Sequence, residues 1–314
     1  MSADTTPPAA PNAHLISIGR VVETLRQLYP GVTPSSLRFL EREGMIEPTR
    51  TPGGHRLYSQ ADVRRIAQIK EWQGQRLSLE EIRERLRQRD ALSDPDDLSR
   101  CFLDQVLAGD GVAATATILD ADELGMPLDR LFAEVIQPAL VEVGDRWEHG
   151  TVLVAQEKTV SELVRDIVAE LSIRHITARS NAPVVVAACV AGERHELGLR
   201  MLTGLLRADG YRVQYLGADV ASEFLVDAAL LHRPAAVLLS ARFTTSEPAL
   251  EEAITCLRKA MGDTMAIVVG GHLAMERAQR ISELGAIPVT SEQLDHALAT
   301  LREVLPPVPD EEPR

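Results

Sequence analysis

The sequence predicts a multidomain protein of the α plus α/β class, with a small winged helical domain, a four-helix bundle and a doubly wound parallel sheet. Three observations predict it. Residues 15–90 combine short helical patterns with a Gly-Gly hairpin, residues 98–180 keep helical periodicity, and residues 181–304 alternate apolar strands with helices. Apolar strands that alternate with helices are typical of a Rossmann-like sheet that is covered on both faces.

The composition supports several folded cores outside a membrane. The chain has 314 residues, of which 45% are hydrophobic. No apolar run approaches the roughly 18 residues of a membrane span, and the N-terminus lacks signal-peptide features, so we expect a cytoplasmic protein with no membrane partner. The three cysteines form no CxxC pair, which predicts reduced structural thiols rather than disulfides or a zinc site: Cys101, Cys189 and Cys256.

Polar and proline-rich stretches mark the domain boundaries. Residues 1–14 are rich in Pro, Ala and Thr and predict a disordered N-terminus. Residues 91–97 predict a polar linker, and residues 305–314 predict a disordered tail. The three predicted domains lie between these stretches.

The N-terminal domain begins with two short helical patterns. Ser17 is the expected N-cap of the first helix, which the Pro-Gly pair at 30–31 ends. For the second helix we expect Thr33 as N-cap, Pro34 as the first helical residue and Gly44 as the stop. This arrangement predicts a helix-turn-helix.

A wing and two more helices complete this domain. The stretch MIEPTRTPGGHRLYS holds two prolines and a Gly-Gly turn between extended halves, which predicts a β-hairpin. The helical patterns SQADVRRIAQIKEWQGQR and SLEEIRERLRQRD follow it. The domain is therefore predicted to be a winged helix-turn-helix.

The two remaining domains follow from periodicity. Helical patterns such as PLDRLFAEVIQPALVEVGDRW and AQEKTVSELVRDIVAELSI predict a bundle of about four helices. The predicted strands of the last domain are PVVVAAC, YRVQYLGA, AAVLLS, MAIVVGG and AIPVT.

Charge is unevenly distributed along the chain. Residues 17–90 carry 14 basic and 10 acidic residues, a net +4, whereas the whole chain carries −13. Arg38 and Arg42 lie four residues apart on the second helix and share a face that can meet phosphates or base edges. The wing adds candidates for DNA contact: Arg50, Thr51, His55, Arg56 and Tyr58. The alternative is an ordinary solvated face, on which both helix arginines pair with nearby glutamates: Glu41, Glu43 and Glu47.

These residues resemble a known family. The segment SSLRFLEREGMIEPTRTPGGHRLYSQADVRRIAQI, with LSLEEIRERL, is similar to the N-terminal domain of MerR-type transcriptional regulators over residues 15–90. The resemblance implies a dimer that binds a pseudo-palindromic operator, and it leaves repression and activation both open. MerR-type metal sensors carry cysteines after this domain, and Cys101 alone cannot supply such a site.

A polar loop follows the first predicted strand of the sheet. In CVAGERHELG, His195 lies two residues after Glu193 and three before Gly198. Open parallel sheets bind ligands at the carboxyl ends of their strands. An imidazole there can present one nitrogen outward while the other donates to Glu193, and Gly198 would admit a bulky ligand. The alternative is a surface histidine in a polar loop.

The spacing of the strand ends extends this motif. Gly198 is followed by 41 residues and then Ser240, and 29 residues separate Ser240 from the pair Gly270-Gly271. This resembles the cobalamin-binding domain of methionine synthase and the cobalamin-dependent mutases, which carry D-x-H-x-x-G, S-x-L and GG. The resemblance implies that His195 ligates cobalt, and that Ser240 and the glycines line a slot for the displaced dimethylbenzimidazole tail.

This chain departs from that pattern at two positions. Glu193 replaces the aspartate and is one methylene longer. Arg242 replaces the leucine of the S-x-L motif, which reads SAR in this chain.

The order of the three domains resembles the CarH/LitR family of photoreceptor-repressors over residues 15–304. That resemblance implies a regulator that binds adenosylcobalamin between bundle and sheet. It also implies that the dark form assembles as a homotetramer on operator DNA. Light would then break the Co–C bond and release the DNA.

The bundle carries a related signature. The family has Trp, nine residues and then Glu-His, and this chain has Trp147, nine residues and then Glu157-Lys158. The resemblance implies that Trp147 stacks over the adenosyl group and that Glu157 accepts a hydrogen bond from its ribose. In the family, a histidine directly after the Trp takes the upper cobalt position after illumination. Here Glu148 occupies that position, and His149 follows it.

Two alternatives remain open from the sequence. A cobalamin-dependent enzyme subunit would need a further domain of roughly 250 residues for its substrate, so we expect no enzyme. A regulator that uses its sheet without cobalamin, for oligomerisation, partner docking or another chromophore, is compatible with the departures at Glu193, Arg242 and Lys158.

Overall fold

The computed structural model describes residues 16–26, 28–51, 53–91, 94–177 and 180–309. The chain divides into two compact units, Met1–Ala91 and Leu92–Arg314, which we call the N-terminal unit and the C-terminal unit. The predicted disordered N-terminus, residues 1–14, lies outside the described residues. None of the described helices is long and apolar enough to cross a membrane.

The N-terminal unit is a winged helix-turn-helix. Its described helices are α1 (Ile18–Arg26), α2 (Pro34–Arg42), α3 (Gln60–Gly74) and α4 (Leu79–Ala91). Its described strands are β1 (Ile16–Ser17), β2 (Thr49–Arg50) and β3 (Arg56–Tyr58). The strands are antiparallel in the order β1–β3–β2, so β2 and β3 form the predicted wing. The sequence did not predict β1.

The start of α2 follows directly from its sequence. The hydroxyl of Thr33 accepts from the amide of Ser36 at 3.1 Å, and the Ser36 hydroxyl accepts from the amide of Thr33 at 2.9 Å. This capping box satisfies two amides that the helix itself cannot pair. Pro34 is the first helical residue, and Gly44 follows the helix with a φ of 68°. The predicted start and stop of α2 are therefore confirmed.

The C-terminal unit begins with the predicted bundle of four helices, of which the third is composite. The first, second and fourth helices are α5 (Pro95–Leu107), α6 (Gly111–Glu123) and α9 (Val154–Arg174). The third is a continuous run of α7 (Leu128–Arg130), a π-helical segment (Leu131–Ile136) and α8 (Gln137–Glu148). In the π-helical segment the amide of Gln137 donates to the carbonyl of Phe132, five residues back. Such a turn accommodates one extra residue in an otherwise continuous helix.

The sheet of the C-terminal unit is parallel throughout, with strand order β5–β4–β6–β7–β8. Its strands are β4 (Val184–Val190), β5 (Arg212–Val220), β6 (Ala236–Ser240), β7 (Ala266–Gly270) and β8 (Ile287–Pro288). The described helices around it are α10 (Leu197–Ala208), α11 (Ser222–His232), α12 (Glu247–Met261), α13 (His272–Glu276), α14 (Ala278–Glu283) and α15 (Leu294–Val304). The chain order reverses at β4, so the sheet has a switch point between β4 and β6.

Alternate residues of β4 face two different cores, as a strand covered on both faces requires. One face packs into a core shared with the bundle through α10 and α15; its residues are Val185, Ala187 and Cys189. The other face packs against α11 and α12; its residues are Val186, Ala188 and Val190. Bundle and sheet therefore share one core.

The structure differs from the sequence analysis at two boundaries. Asp94 caps α5, which begins at Pro95, so the end of the predicted linker 91–97 is helical. Leu305 is buried, and the hydroxyl of Tyr211 donates to the carbonyl of Pro306 at 3.1 Å. Leu305 and Val308 of the predicted disordered tail therefore pack against the core of the C-terminal unit, whereas Pro306, Pro307 and Pro309 are exposed.

Candidate functional site

The carboxyl ends of three neighbouring strands meet at one edge of the sheet. Cys189 near the end of β4 pairs in register with Ser240 at the end of β6, and Ser240 pairs with Gly270 at the end of β7. The switch point between β4 and β6 lies at this edge, where open α/β sheets leave a crevice for ligands. The loop that follows β4 carries His195 to the same crevice.

The imidazole of His195 is held by a buried carboxylate. Its Nδ1 lies 2.6 Å from Oε1 of Glu193, and its backbone amide donates to the same oxygen at 2.8 Å. Glu193 is 1% exposed, whereas the imidazole is 57% exposed. Because an ionised carboxylate only accepts, the neutral imidazole carries its proton on Nδ1 and leaves a lone pair on Nε2. Within the described part of the chain Nε2 makes no hydrogen bond.

Glu193 is ionised despite its burial. Burial alone would raise the pKa of this carboxyl, but hydrogen bonds from the His195 side chain and from the amides of His195 and Arg242 outweigh it and lower the pKa to about 2. The Arg242 amide donates to Oε2 at 2.7 Å. This contact comes from the backbone, so it does not depend on the side chain by which Arg242 departs from the family pattern.

Phe243 is a site residue that the sequence analysis missed. Its ring packs edge-on against the His195 ring, with centroids 4.9 Å apart. The guanidinium of Arg242 lies 5.9 Å from the centroid of the same ring. An aromatic residue beside the motif gave no periodic or spacing signal.

Of the three predicted slot residues, Ser240 and Gly270 end neighbouring strands and Gly271 follows Gly270. A Cβ on Gly270 would meet no atom within 4 Å, and the same is true of Gly198. Gly271 has a φ of 90°, and a Cβ there would collide with the backbone of Ala241. The turn therefore needs glycine at position 271, whereas a side chain at position 270 would enter open space.

The predicted bundle residues lie on the end of α8 and the start of α9. Trp147 is 44% exposed, and Leu153 and Val154, which follow it in the chain, are exposed as well. The carboxylate of Glu157 accepts from the Ser161 hydroxyl at 2.8 Å, and its other oxygen lies 3.2 Å from Nζ of Lys158.

His149 ends α8 in an exposed position. Its Nδ1 lies 2.7 Å from the carbonyl oxygen of Asp145. No hydrogen bond or ion pair among the described residues joins Trp147, Glu157 or His149 directly to His195. The structure therefore brings the sheet residues together at the strand ends, whereas on the bundle Trp147 and His149 are exposed and Glu157 is partly buried.

The arginines of the N-terminal unit fall into two groups. Arg38 and Arg42 on α2 are exposed, and neither forms an ion pair with a described residue. Glu41 instead accepts from Arg50 at 2.6 Å and from Arg56 at 2.5 Å. The hydrogen bond from Arg56 is the main reason why the pKa of Glu41 is lowered. The alternative in which Glu41 neutralises the α2 arginines is therefore wrong.

The wing residues do not all face solvent. His55 and Thr51 lie near the turn of the wing, where the amide of His55 donates to the Thr51 hydroxyl at 3.1 Å. Tyr58 is 0% exposed and packs into the core of the N-terminal unit. The structure therefore corrects the prediction that Tyr58 contacts DNA: its aromatic ring fills a core. Arg56, with its pair to Glu41, ties the wing to α2.

Comparisons with known proteins match all three domains. A family model described as MerR HTH family regulatory protein matches residues 28–89. Two models, each described as B12 binding domain, match residues 99–172 and 183–299.

The HTH-type transcriptional repressor CarH of Myxococcus xanthus is 32% identical to this chain over 274 residues, which cover 82% of this chain and 91% of CarH. The chain belongs to the CarH/CarA family of HTH-type transcriptional repressors. CarA of the same organism is 31% identical, with 82% of this chain and 88% of CarA covered. A CarH/CarA-family member with this domain content is a transcriptional regulator rather than an enzyme.

A solved structure confirms the fold of the C-terminal unit. The Methanosarcina barkeri monomethylamine corrinoid protein aligns with a TM-score of 0.57 at 23% identity, over 67% of this chain and 97% of that protein. This CarH/CarA-family chain thus combines a MerR-type N-terminal unit with a bundle and sheet of the corrinoid-protein fold.

The turn at Gly271 gives a prediction about stability. Gly271→Ala should lower the free energy of unfolding of the C-terminal unit by about 1–3 kcal/mol, because alanine is strained at this positive φ and its Cβ collides with Ala241. Gly270→Ala is the matched control and should change it by less than about 0.5 kcal/mol. Chemical denaturation of the two variants measures the difference. A loss below about 0.5 kcal/mol in Gly271→Ala would show that the turn does not need glycine at 271.

The division among the arginines gives a prediction about DNA. Arg38→Ala and Arg42→Ala should each weaken binding to duplex DNA and reduce its salt slope by about 1, because each removes a positive charge that the sequence predicts at the DNA backbone. Their melting temperatures should stay at the wild-type value. Fluorescence anisotropy at several salt concentrations measures the slope. Arg87→Ala, an exposed arginine on α4 that pairs with Glu84, is the control, and an unchanged slope in the α2 variants would contradict the assignment.

Proposed function

We propose that this chain is a light-responsive repressor that binds adenosylcobalamin in the dark, oligomerises, occupies operator DNA and is released by light. The observation that carries the proposal is the outward Nε2 of His195, fixed by the buried carboxylate of Glu193. Metal-ligating histidines almost always donate their other N–H to such a partner, which sets the tautomer and raises the basicity of the ligand.

The residues of the C-terminal unit fit a corrinoid. The donor is a neutral imidazole, which suits a transition metal such as cobalt. A Cβ on Gly198 or on Gly270 would meet no atom within 4 Å, so both positions at the carboxyl ends of the strands leave open space. The half-exposed Trp147 offers an apolar surface that a large planar ligand would cover. These four features support cobalamin as the ligand.

The proposed roles follow from these positions. His195 is the lower ligand of the metal, and Glu193 orients it. Ser240, Gly270 and Gly271 bound the slot for the nucleotide tail. Trp147 covers the upper group, and Glu157 accepts a hydrogen bond from its sugar. When bound, adenosylcobalamin would supply a Co–C bond that light can break.

Oligomerisation would connect the ligand site to DNA. A dimer or tetramer presents several N-terminal units at once, and their effective concentration at the operator raises occupancy without any new base contact. Loss of the oligomer then releases the DNA while Arg38 and Arg42 remain unchanged. A ligand controls this equilibrium only through its different affinity for the two states.

A corrinoid sensor that does not respond to light is the second candidate. The ion pair between Glu157 and Lys158 favours it, because Lys158 holds one of the two carboxylate oxygens proposed to accept from the adenosyl sugar. Visible spectra of the dark complex before and after green light separate the two functions. Light-insensitive bound cofactor would support the sensor, and the absence of binding would support a regulator that works without cobalamin.

His195→Ala tests the proposed function directly. Without the imidazole, adenosylcobalamin should be bound more weakly by at least about tenfold, with a spectrum typical of a cofactor that lacks a nitrogen ligand from the protein. Equilibrium dialysis and visible spectra in the dark measure both, and size-exclusion chromatography follows the oligomer. His272→Ala, at an exposed histidine next to Gly271, is the control. Unchanged affinity, colour and oligomer in His195→Ala would contradict the proposal.

The illuminated state is predicted to lack a second histidine ligand. Glu148 follows Trp147 directly, and His149 is one residue further, which on a helix turns a side chain by about 100°. Wild-type protein after green light should therefore not show a bis-histidine spectrum, whereas Glu148→His should show one. A bis-histidine spectrum of the wild type that His149→Ala abolishes would show that His149 takes this position.

A further inference from the structure

Glu196, the residue after His195, is a buried ionic centre that the proposed function does not use. It is 7% exposed. Its Oε1 accepts from Nε of Arg165 at 2.7 Å and lies 3.3 Å from Nε of Arg200, and its Oε2 accepts from the hydroxyl of Tyr215 at 2.6 Å. A buried carboxylate with this many partners holds its surroundings in one arrangement.

The partners of Glu196 come from three different elements. Arg165 lies on α9 of the bundle, Arg200 on α10 and Tyr215 on β5. The guanidinium of Arg200 also lies 4.9 Å from the centroid of the Tyr215 ring. Arg165 reaches across from the bundle and also pairs with Glu162 on its own helix. Glu196 is therefore the point at which the loop of His195 is tied to the bundle.

Glu196 and Tyr215 each have one defined protonation state at neutral pH. Burial alone would raise the pKa of Glu196, but the hydrogen bonds from Tyr215 and Arg165 outweigh it, and the pKa is lowered. Burial and the hydrogen bond to Glu196 both raise the pKa of Tyr215. The carboxylate is therefore ionised and the tyrosine keeps its proton.

The same face of α9 carries Glu157. Glu157, Ser161 and Arg165 follow each other at intervals of four residues, and Ser161 donates to Glu157. Residues four apart lie on one face of a helix, and eight residues span roughly 12 Å. One end of this face meets the loop of His195, and the other end carries the proposed acceptor for the upper group.

We infer that Glu196 and Arg165 are positioning residues that set the distance between the lower ligand, His195, and the cap residue Glu157. The inference rests on the proposed function and adds a specificity determinant to it. With the pair intact, α9 has a charged tie to the loop of His195. Without it, α9 stays in the core that bundle and sheet share, but its first turns, which carry Glu157, lose the contact that fixes their distance from the loop, while His195 keeps its bond to Glu193. The pair thereby selects for a large upper group.

The test compares two cofactors with one variant. In Arg165→Met, the dissociation constant for adenosylcobalamin should rise about tenfold, whereas that for methylcobalamin should change much less, because a methyl group makes few contacts with the cap. Arg174→Met is the matched control: Arg174 lies at the other end of the same helix and pairs with Glu170 and, on α6, with Asp122 and Glu123, away from the loop of His195, so it should leave both constants unchanged. Glu196→Gln should reproduce the effect of Arg165→Met.

A second readout uses the cofactor-free protein. Hydrogen exchange in Arg165→Met should accelerate in residues 154–165 of α9 and remain slow in β4, whereas a purely structural role would accelerate exchange throughout the C-terminal unit. If the methionine variant fails to fold, Arg165→Lys takes its place in both experiments, because lysine keeps the positive charge but lacks the planar guanidinium group.

The outcomes separate the two proposals. Wild-type protein that binds neither cofactor would overturn the proposed function and this inference together. Wild-type protein that binds both, with equal weakening or no weakening of both in Arg165→Met, would overturn this inference alone. Selective loss of adenosylcobalamin would support it.

Discussion

The hydrogen bond between Glu193 and His195 is the interaction on which the candidate site depends. A carboxylate that is almost wholly buried stays ionised only because every donor around it is used, and one of those donors is the imidazole. The arrangement makes the tautomer of His195 a property of the fold. It also joins the loop after β4 to the loop after β6, because the Arg242 amide completes the same carboxylate. The candidate histidine and the two loops that border the crevice at the switch point are therefore joined through the side chain of Glu193.

Elements determined by neighbouring residues could be predicted from the sequence. The capping box at Thr33 and the stop at Gly44 are local, and the strands of the sheet are continuous apolar runs, so the fold of both units followed from patterns alone. Domain boundaries that depend on tertiary packing could not be predicted as well from the sequence. Leu305 belongs to a polar, proline-rich stretch that is typical of a disordered tail, but it is buried because it packs into the core beside α15.

The sequence predicts the site residues that lie at strand ends at characteristic spacings. It does not predict contacts between residues that are far apart along the chain. His195, Ser240 and Gly270 lie at strand ends, and parallel strands bring their ends together whatever the intervening sequence. Arg165 on α9 and Glu196 in the loop before α10 are 31 residues apart, and no pattern in the sequence predicts their contact. Tyr58 illustrates the converse: a motif suggested a surface role, and packing decided against it.

The π-helical segment Leu131–Ile136 has an effect well beyond its own turn. By absorbing one additional residue, it offsets the angular phase of all that follows in α8 by about 100°. The direction in which Trp147 projects is thus set about three turns upstream, in a segment whose buried residues are Leu131, Phe132, Val135 and Ile136. Deletion of one residue from this segment would turn Trp147 about the helix axis by about 100° without changing any side chain near it.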